Sequence, residues 1–170
     1  MLYYDTLRDT DPVVRDRIWD LICRCDDDFY PPLSTREPTD SVMVQTGVKE
    51  SKPHTFFEMI QGTSVLVDSE DVNGVIAFYK GYVLDEVDDI PRTYVMFILV
   101  DPDARGRGLG RSLYEAMFEH MSGSEAPVVT RTWSTNYSHL ALARSMGLMR
   151  SVVLENDRGN GVDTVFLIKD

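Results

Sequence analysis

DPDARGRGLGRSL, residues 101–113, follows directly on the apolar run YVMFILV, residues 94–100. The run reads as a strand and breaks at Asp101-Pro102. Glycines then fall at 106, 108 and 110, and a helical pattern starts at once, with Leu109, Leu113, Met117, Phe118 and Met121 along one face. A glycine-rich turn between a strand and a helix start suits an anion. Glycine lets the backbone turn and come close to a ligand. The unpaired N–H groups of the first helical turn, together with the helix dipole, then favour phosphate. The dinucleotide fingerprint needs a third glycine at position 111, which is Arg111, and the Gly-Lys-Ser/Thr of a P-loop is absent.

Composition bounds what that turn can serve. The chain has 170 residues, 43% of them apolar and 26% charged, which predicts a single domain over 1–170 with a real core. The net charge of −11 speaks against nucleic acid, whose phosphates dominate binding. The longest apolar run falls far short of the roughly 20 residues a membrane helix needs, so no membrane partner is expected. The start, MLYYDTLRD, lacks the pattern of a secretory signal. Cys23 and Cys25 diverge on a helix and read as reduced thiols in a cytoplasmic protein, with no metal role.

Outward from the turn, the period of the pattern changes several times. Residues 1–6, MLYYDT, read as a strand. Thr10 or Asp11 caps a helix that opens at Pro12, buries Val13, Val14, Ile18, Leu21 and Ile22, and ends near Cys25. Residues 26–52 read as loop, with a short element at SVMVQT, residues 41–46. PHTFFEMIQG is a second helix, stopped by Gly62. TSVLVD, VIAFYKGYVL and TYVMFILV form an antiparallel meander, in which Asp85, Glu86, Asp88 and Asp89 read as a solvated turn. APVVTRTW is a strand, Asn136 caps a helix closed by Gly147, and LMRSVVLE pairs with VDTVFLIK across NDRGNG. The order is β-α-α-β-β-β-α-β-α-β-β, an α+β chain.

Arg105-Gly106-Arg107-Gly108-Leu109-Gly110, after a strand ending Val-Asp-Pro, resembles the acyl-CoA pyrophosphate loop of the GNAT N-acyltransferase superfamily. Asn136, followed eleven positions later by Gly147-Leu148, resembles that family's second cofactor motif. The resemblance covers residue 64 to the end of the chain and is weak over 1–62. It implies a mixed, splayed central sheet flanked by helices. It implies acetyl-CoA as co-substrate and no metal. By this resemblance Ile98, Leu99 and Val100 pair by backbone with the pantetheine arm. Arg105, Gly106, Arg107, Gly108, Leu109, Gly110 and Arg111 hold the pyrophosphate, and Asn136 caps its helix and touches the pantetheine.

The activity implied is transfer of an acetyl group to a primary amine. A backbone N–H near Ile98–Val100 meets the developing oxyanion. The family's usual acid, a tyrosine four residues before the glycine of the second motif, is here Ala143. Tyr137, Ser138, His139 and Ser145 stand nearby as substitutes. A thiolate with a pKa near 8.5 can also leave without an acid. In this family the loop after the first helix walls the acceptor pocket. Asp26, Asp27 and Asp28 beside Phe29 and Tyr30 suit a small cationic amine, with a solvated helix-end loop as the other reading. Protein N-termini or lysines as acceptors, and a non-catalytic acyl-CoA-binding module, are the alternatives. The acceptor is a small-molecule or protein amine; monomer and homodimer both stay open.

Overall fold

The computed structural model describes residues 1–35, 52–85, 87–121 and 127–170. SVMVQT and Glu86, both read from the sequence, lie outside them. Strands are β1 Leu2–Tyr4, β2 Ser64–Val67, β3 Gly74–Tyr82, β4 Arg92–Val100, β5 Val128–Trp133, β6 Arg150–Leu154 and β7 Thr164–Lys169; helices are α1 Pro12–Arg24, α2 Lys52–Met59, α3 Leu109–His120 and α4 Tyr137–Ser145. Their order along the chain is the one expected. The strands form one sheet in the order β1-β2-β3-β4-β5-β7-β6. Every neighbouring pair is antiparallel except β4 with β5.

The parallel pair is short. Thr93, Tyr94 and Val95 pair with Val128, Val129 and Thr130, and the two strands share no further rung. β4 runs on to Val100 while β5 turns toward β7, so the sheet is splayed. One face packs on α1 and α2 through Ile18, Leu21, Val75, Ala77, Phe97 and Leu99. The other packs on α3 and α4 through Ile76, Val95, Leu113, Tyr114, Met117 and Leu140. β3 and β4 are covered on both faces, and this is why they read as near-continuous apolar runs.

Local chemistry sets the ends of the elements. Asp11 caps α1, its Oδ1 accepting from the Val13 N–H at 2.8 Å. Val13 itself is 58% exposed, so the expected apolar face of α1 starts at Val14. α2 ends at Met59, before Gly62. Gly74 lies where α3 crosses β3: a Cβ there would come within 2.9 Å of Leu109 Cδ2 and 3.0 Å of Leu113 Cδ1. Only glycine lets the helix seat that closely.

In the β3–β4 turn Asp85 and Asp89 are exposed, as expected of a solvated acidic loop, but Asp88 is not a free surface charge. Arg92, its side chain fully enclosed, donates to Asp88 at 2.6 and 2.9 Å and to Asp170 at 2.7 Å. Arg150 lies 3.4 Å from the same two carboxylates. The guanidinium of Arg92 holds both acids below the usual carboxylate range. This clasp ties the start of β4 to β6 and β7, at the end of β4 opposite the glycine turn.

Candidate active site

The glycine turn is built from several devices. Asp101, buried at the end of β4, accepts from the Asp103 N–H at 2.9 Å and pairs with Arg24 of α1. Its carbonyl accepts from the Ala104 N–H at 2.8 Å. Gly106 and Gly108 then take left-handed backbone, φ 74° and 79°, and Gly108 becomes the N-cap of α3. A side chain at either position would point into open space. Their constraint is therefore conformational, and the space over the turn is free for a ligand. Gly110 differs: its absent Cβ would lie 3.1 Å from Leu142 Cδ2, so it allows α3 to meet α4.

A cavity of about 580 Å³ opens in the splay between β4 and β5. Met96–Val100 line one wall, Arg131–Trp133 another, and the glycine turn closes one end. Asn136 and, from α4, Ser138, His139 and Leu142 line the side, with Asp28 and Phe29 from the turn after α1. The Asp101 N–H turns to Asn73 on the β3 side at 2.7 Å. Backbone groups alternate along a strand, so Ile98 and Val100 face the open side, where β5 has left. The Val100 carbonyl there accepts from Arg105 Nε at 3.0 Å.

The residues expected to hold the cofactor lie on the cavity wall with one exception. Ile98, Leu99, Val100, Arg105, Gly106, Gly108, Leu109, Gly110, Arg111 and Asn136 all line the cavity. Asn136 also caps α4, accepting from the His139 N–H at 3.2 Å. Arg107 is exposed and outside the lining. Two of the arginines have internal tasks. Arg105 pairs with Asp28, and Arg111 donates to Ser145 Oγ at 3.1 Å, tying α3 to α4.

Among the three aspartates, Asp26 accepts from the Ser34 backbone and hydroxyl at 3.0 and 2.5 Å, Asp27 is exposed, and only Asp28 reaches the cavity. Tyr30 stacks on Trp133 with centroids 6.3 Å apart, and Arg158 from the β6–β7 loop lies 5.4 Å from the Trp133 ring and donates to the Tyr30 carbonyl. Arg158 was not anticipated, because nothing local in NDRGNG marks it.

The substitutes for the missing tyrosine also separate. Ala143 is fully buried among core residues and lies outside the cavity wall. Tyr137 is 74% exposed, and Ser145 is engaged by Arg111. Ser138 and His139 remain on the wall. His139 Nε2 lies 3.0 Å from the hydroxyl of Tyr114, a buried residue of α3. Part of the ring opens on the cavity, yet the surrounding protein pushes its pKa down to about 4 by desolvation, and burial raises that of Tyr114. Both are neutral near pH 7. Cys25, beside Arg105 and Val100, stays a thiol, pushed up to about 11 by burial and then by Asp28.

Solved structures share this architecture. The NatC complex bound to Gag peptide and CoA matches with 20% identity and a TM-score of 0.60, over 98% of this chain and 96% of that one. An N-acetyltransferase from Staphylococcus aureus Mu50 matches with 16% identity and a TM-score of 0.60, over 99% and 100%. Arabidopsis thaliana NAA60 in complex with acetyl-CoA matches with 16% identity and a TM-score of 0.58, over 99% and 98%. No curated protein matches the sequence. The profile of the Acetyltransferase (GNAT) family matches residues 17–148, most of the chain and all of the cavity walls from Asp28 to Leu142. With its glycine turn and splayed sheet under a family profile that spans most of its length, the chain belongs to the GNAT acetyltransferase family.

Proposed function

We propose that this protein transfers an acetyl group from acetyl-CoA to a primary amine, within the cavity between β4 and β5. The observation that carries this reading is the open edge of β4, which leads from the glycine turn to the aromatic wall at Trp133. When bound, acetyl-CoA supplies a thioester carbon for the amine to attack and a thiolate that departs. Gly106 and Gly108 leave room for its pyrophosphate, with the first N–H groups of α3 pointing at it. The N–H groups of Ile98 and Val100 face the cavity, where one can donate to a developing oxyanion.

His139 takes the place near the sulfur in this reading. Nε2 lies 3.0 Å from the Tyr114 hydroxyl; in this reading the hydroxyl donates to it, which puts the ring proton on Nδ1 as a neutral N–H. A group with a pKa of about 4 is a hydrogen-bond donor at pH 7 and not a charged acid. The substrate amine is then the only group that must lose a proton, to water or to a chain of waters. The direct test is thiol release from acetyl-CoA across a panel of amines, with mass spectrometry of the products. Acetylated amine supports transfer. Tight binding of acetyl-CoA without turnover on any amine would favour a binding module.

A further inference from the structure

The acceptor end of the cavity carries a different charge from the molecule as a whole. Asp28 is the one carboxylate among the described lining residues, and Arg105 already binds it. Asp26 is turned onto Ser34. Opposite them stands Arg131, exposed on the cavity wall between the buried Thr130 and Thr132. Alternation along β5 puts it on the same face as Trp133. Its charge reaches the phenols of Tyr79 and Tyr94, and it forms no ion pair among the described residues. Arg158 sits over the neighbouring Trp133 ring, its guanidinium donating to the Tyr30 carbonyl and to Thr164 Oγ1. The wall thus offers one open guanidinium fork beside an aromatic surface, in a chain whose net charge is −11. Among the described lining residues, a polyamine would meet this cation and no unpaired carboxylate.

We infer that the acceptor amine carries a carboxylate within a few bonds of its nitrogen, bound by Arg131. A guanidinium takes a carboxylate through two parallel N–H donors, which sets the acceptor's orientation as well as its affinity. Trp133 lines the same wall, backed by the stacked ring of Tyr30, and suits an apolar or aromatic body. Because Arg131 is a single fork, a single planar carboxylate fits it. The inference rests on the acetyl transfer proposed above and narrows its substrate class.

The test titrates CoA-saturated protein calorimetrically with phenylalanine, phenylalaninamide, phenethylamine and spermidine, and follows acetyl transfer to each. Phenylalanine is expected to bind at least roughly tenfold more tightly than its amide. Arg131→Gln is expected to erase that difference and Arg131→Glu to reverse it, with CoA affinity as the check on folding. The dipeptide Phe-Asp amide moves the carboxylate to a second residue, farther from the amine; tighter binding of phenylalanine than of this compound supports the inference, and the reverse overturns it. Equal or better binding of the amide or of spermidine overturns the inference, as does a preference that survives Arg131→Gln. If phenylalanine is preferred in binding but no amine is acetylated, the carboxylate site stands and acetyl transfer falls. If the amide is acetylated as readily as the acid, acetyl transfer stands and the carboxylate site falls.

Discussion

His139 is flanked by groups that hold it neutral. Tyr114 fixes one nitrogen, and desolvation keeps the ring from charging until pH falls to about 4. Two expectations follow at this scale. His139→Ala should lower kcat by about 10- to 100-fold through loss of a positioned donor, with the KM for acetyl-CoA little changed; Tyr114→Phe should have a smaller effect in the same direction. The profile of kcat/KM against pH should rise with deprotonation of the amine and show no descending limb from a side-chain acid below about pH 9. A descending limb that vanishes in His139→Ala would assign the ring an acid's role instead. Gly108 makes the cofactor side testable. Its left-handed φ and the open space above it mean that Gly108→Glu brings both strain and a repelling charge to an anion site. CoA should bind at least tenfold more weakly, about 1.4 kcal/mol, with the circular dichroism of the fold retained. Unchanged affinity by calorimetry would remove the anion site from this turn.

Among the elements, α3 matters most, because its first turn is the proposed anion site and its body is core. Its seat on β3 depends on Gly74, which no pattern around SEDVNG singles out. Gly74→Ala should push Leu109 and Leu113 aside and cost about 1–3 kcal/mol, the usual range for overpacking. Leu109 opens α3, so the same variant should also weaken CoA binding, although residue 74 lies outside the cavity wall. Denaturant melts and a CoA titration on one preparation measure both. A loss of stability with CoA affinity intact would show that the turn tolerates a shifted helix. The strand–turn–helix around residues 94–120 and the Asn136 cap of α4 were legible, since period, glycine spacing and caps are local. The N-terminal edge of α1 was less so: a valine next to a cap looks like any other apolar residue, and only the packing of the helix leaves Val13 in solvent.

For the molecule as a whole, the Arg92 clasp closes the sheet at the end far from the cavity. Truncating a fully enclosed arginine that joins three segments is expected to lower Tm by about 5 °C, measured on Arg92→Ala by calorimetry. The pH dependence has a definite sign. The native pKa values of Asp88 and Asp170 lie below their unfolded values. The stability they add is therefore complete above about pH 4, where the unfolded carboxylates are ionised, and fades as pH falls through the lowered native values. The unmutated protein should lose Tm more steeply than Arg92→Met below about pH 4; parallel curves would mean that the clasp contributes no linkage. At the same scale, no helix among the described residues is long and apolar enough to cross a membrane.

The sequence by itself determined the order of the elements, the strand–glycine–helix turn and, through two spaced motifs, the family. Each rests on residues near one another in the chain, where backbone sterics, capping and period act without help. Tertiary structure decided what the charges do. Asp28 and Arg105 stand far apart in sequence, and so do Arg92 and Asp170, Tyr114 and His139, Trp133 and Arg158. Whether an aspartate is a solvated loop residue, a clasp or a binding group depends on which cation the fold brings within about 3 Å, since solvent screens what is not in contact. The parting of β4 and β5 after Val95 is likewise a matter of tertiary structure, since both strands run on past their last shared rung, β4 to Val100 and β5 to Trp133. That parting opens the cavity and turns Arg131 toward it.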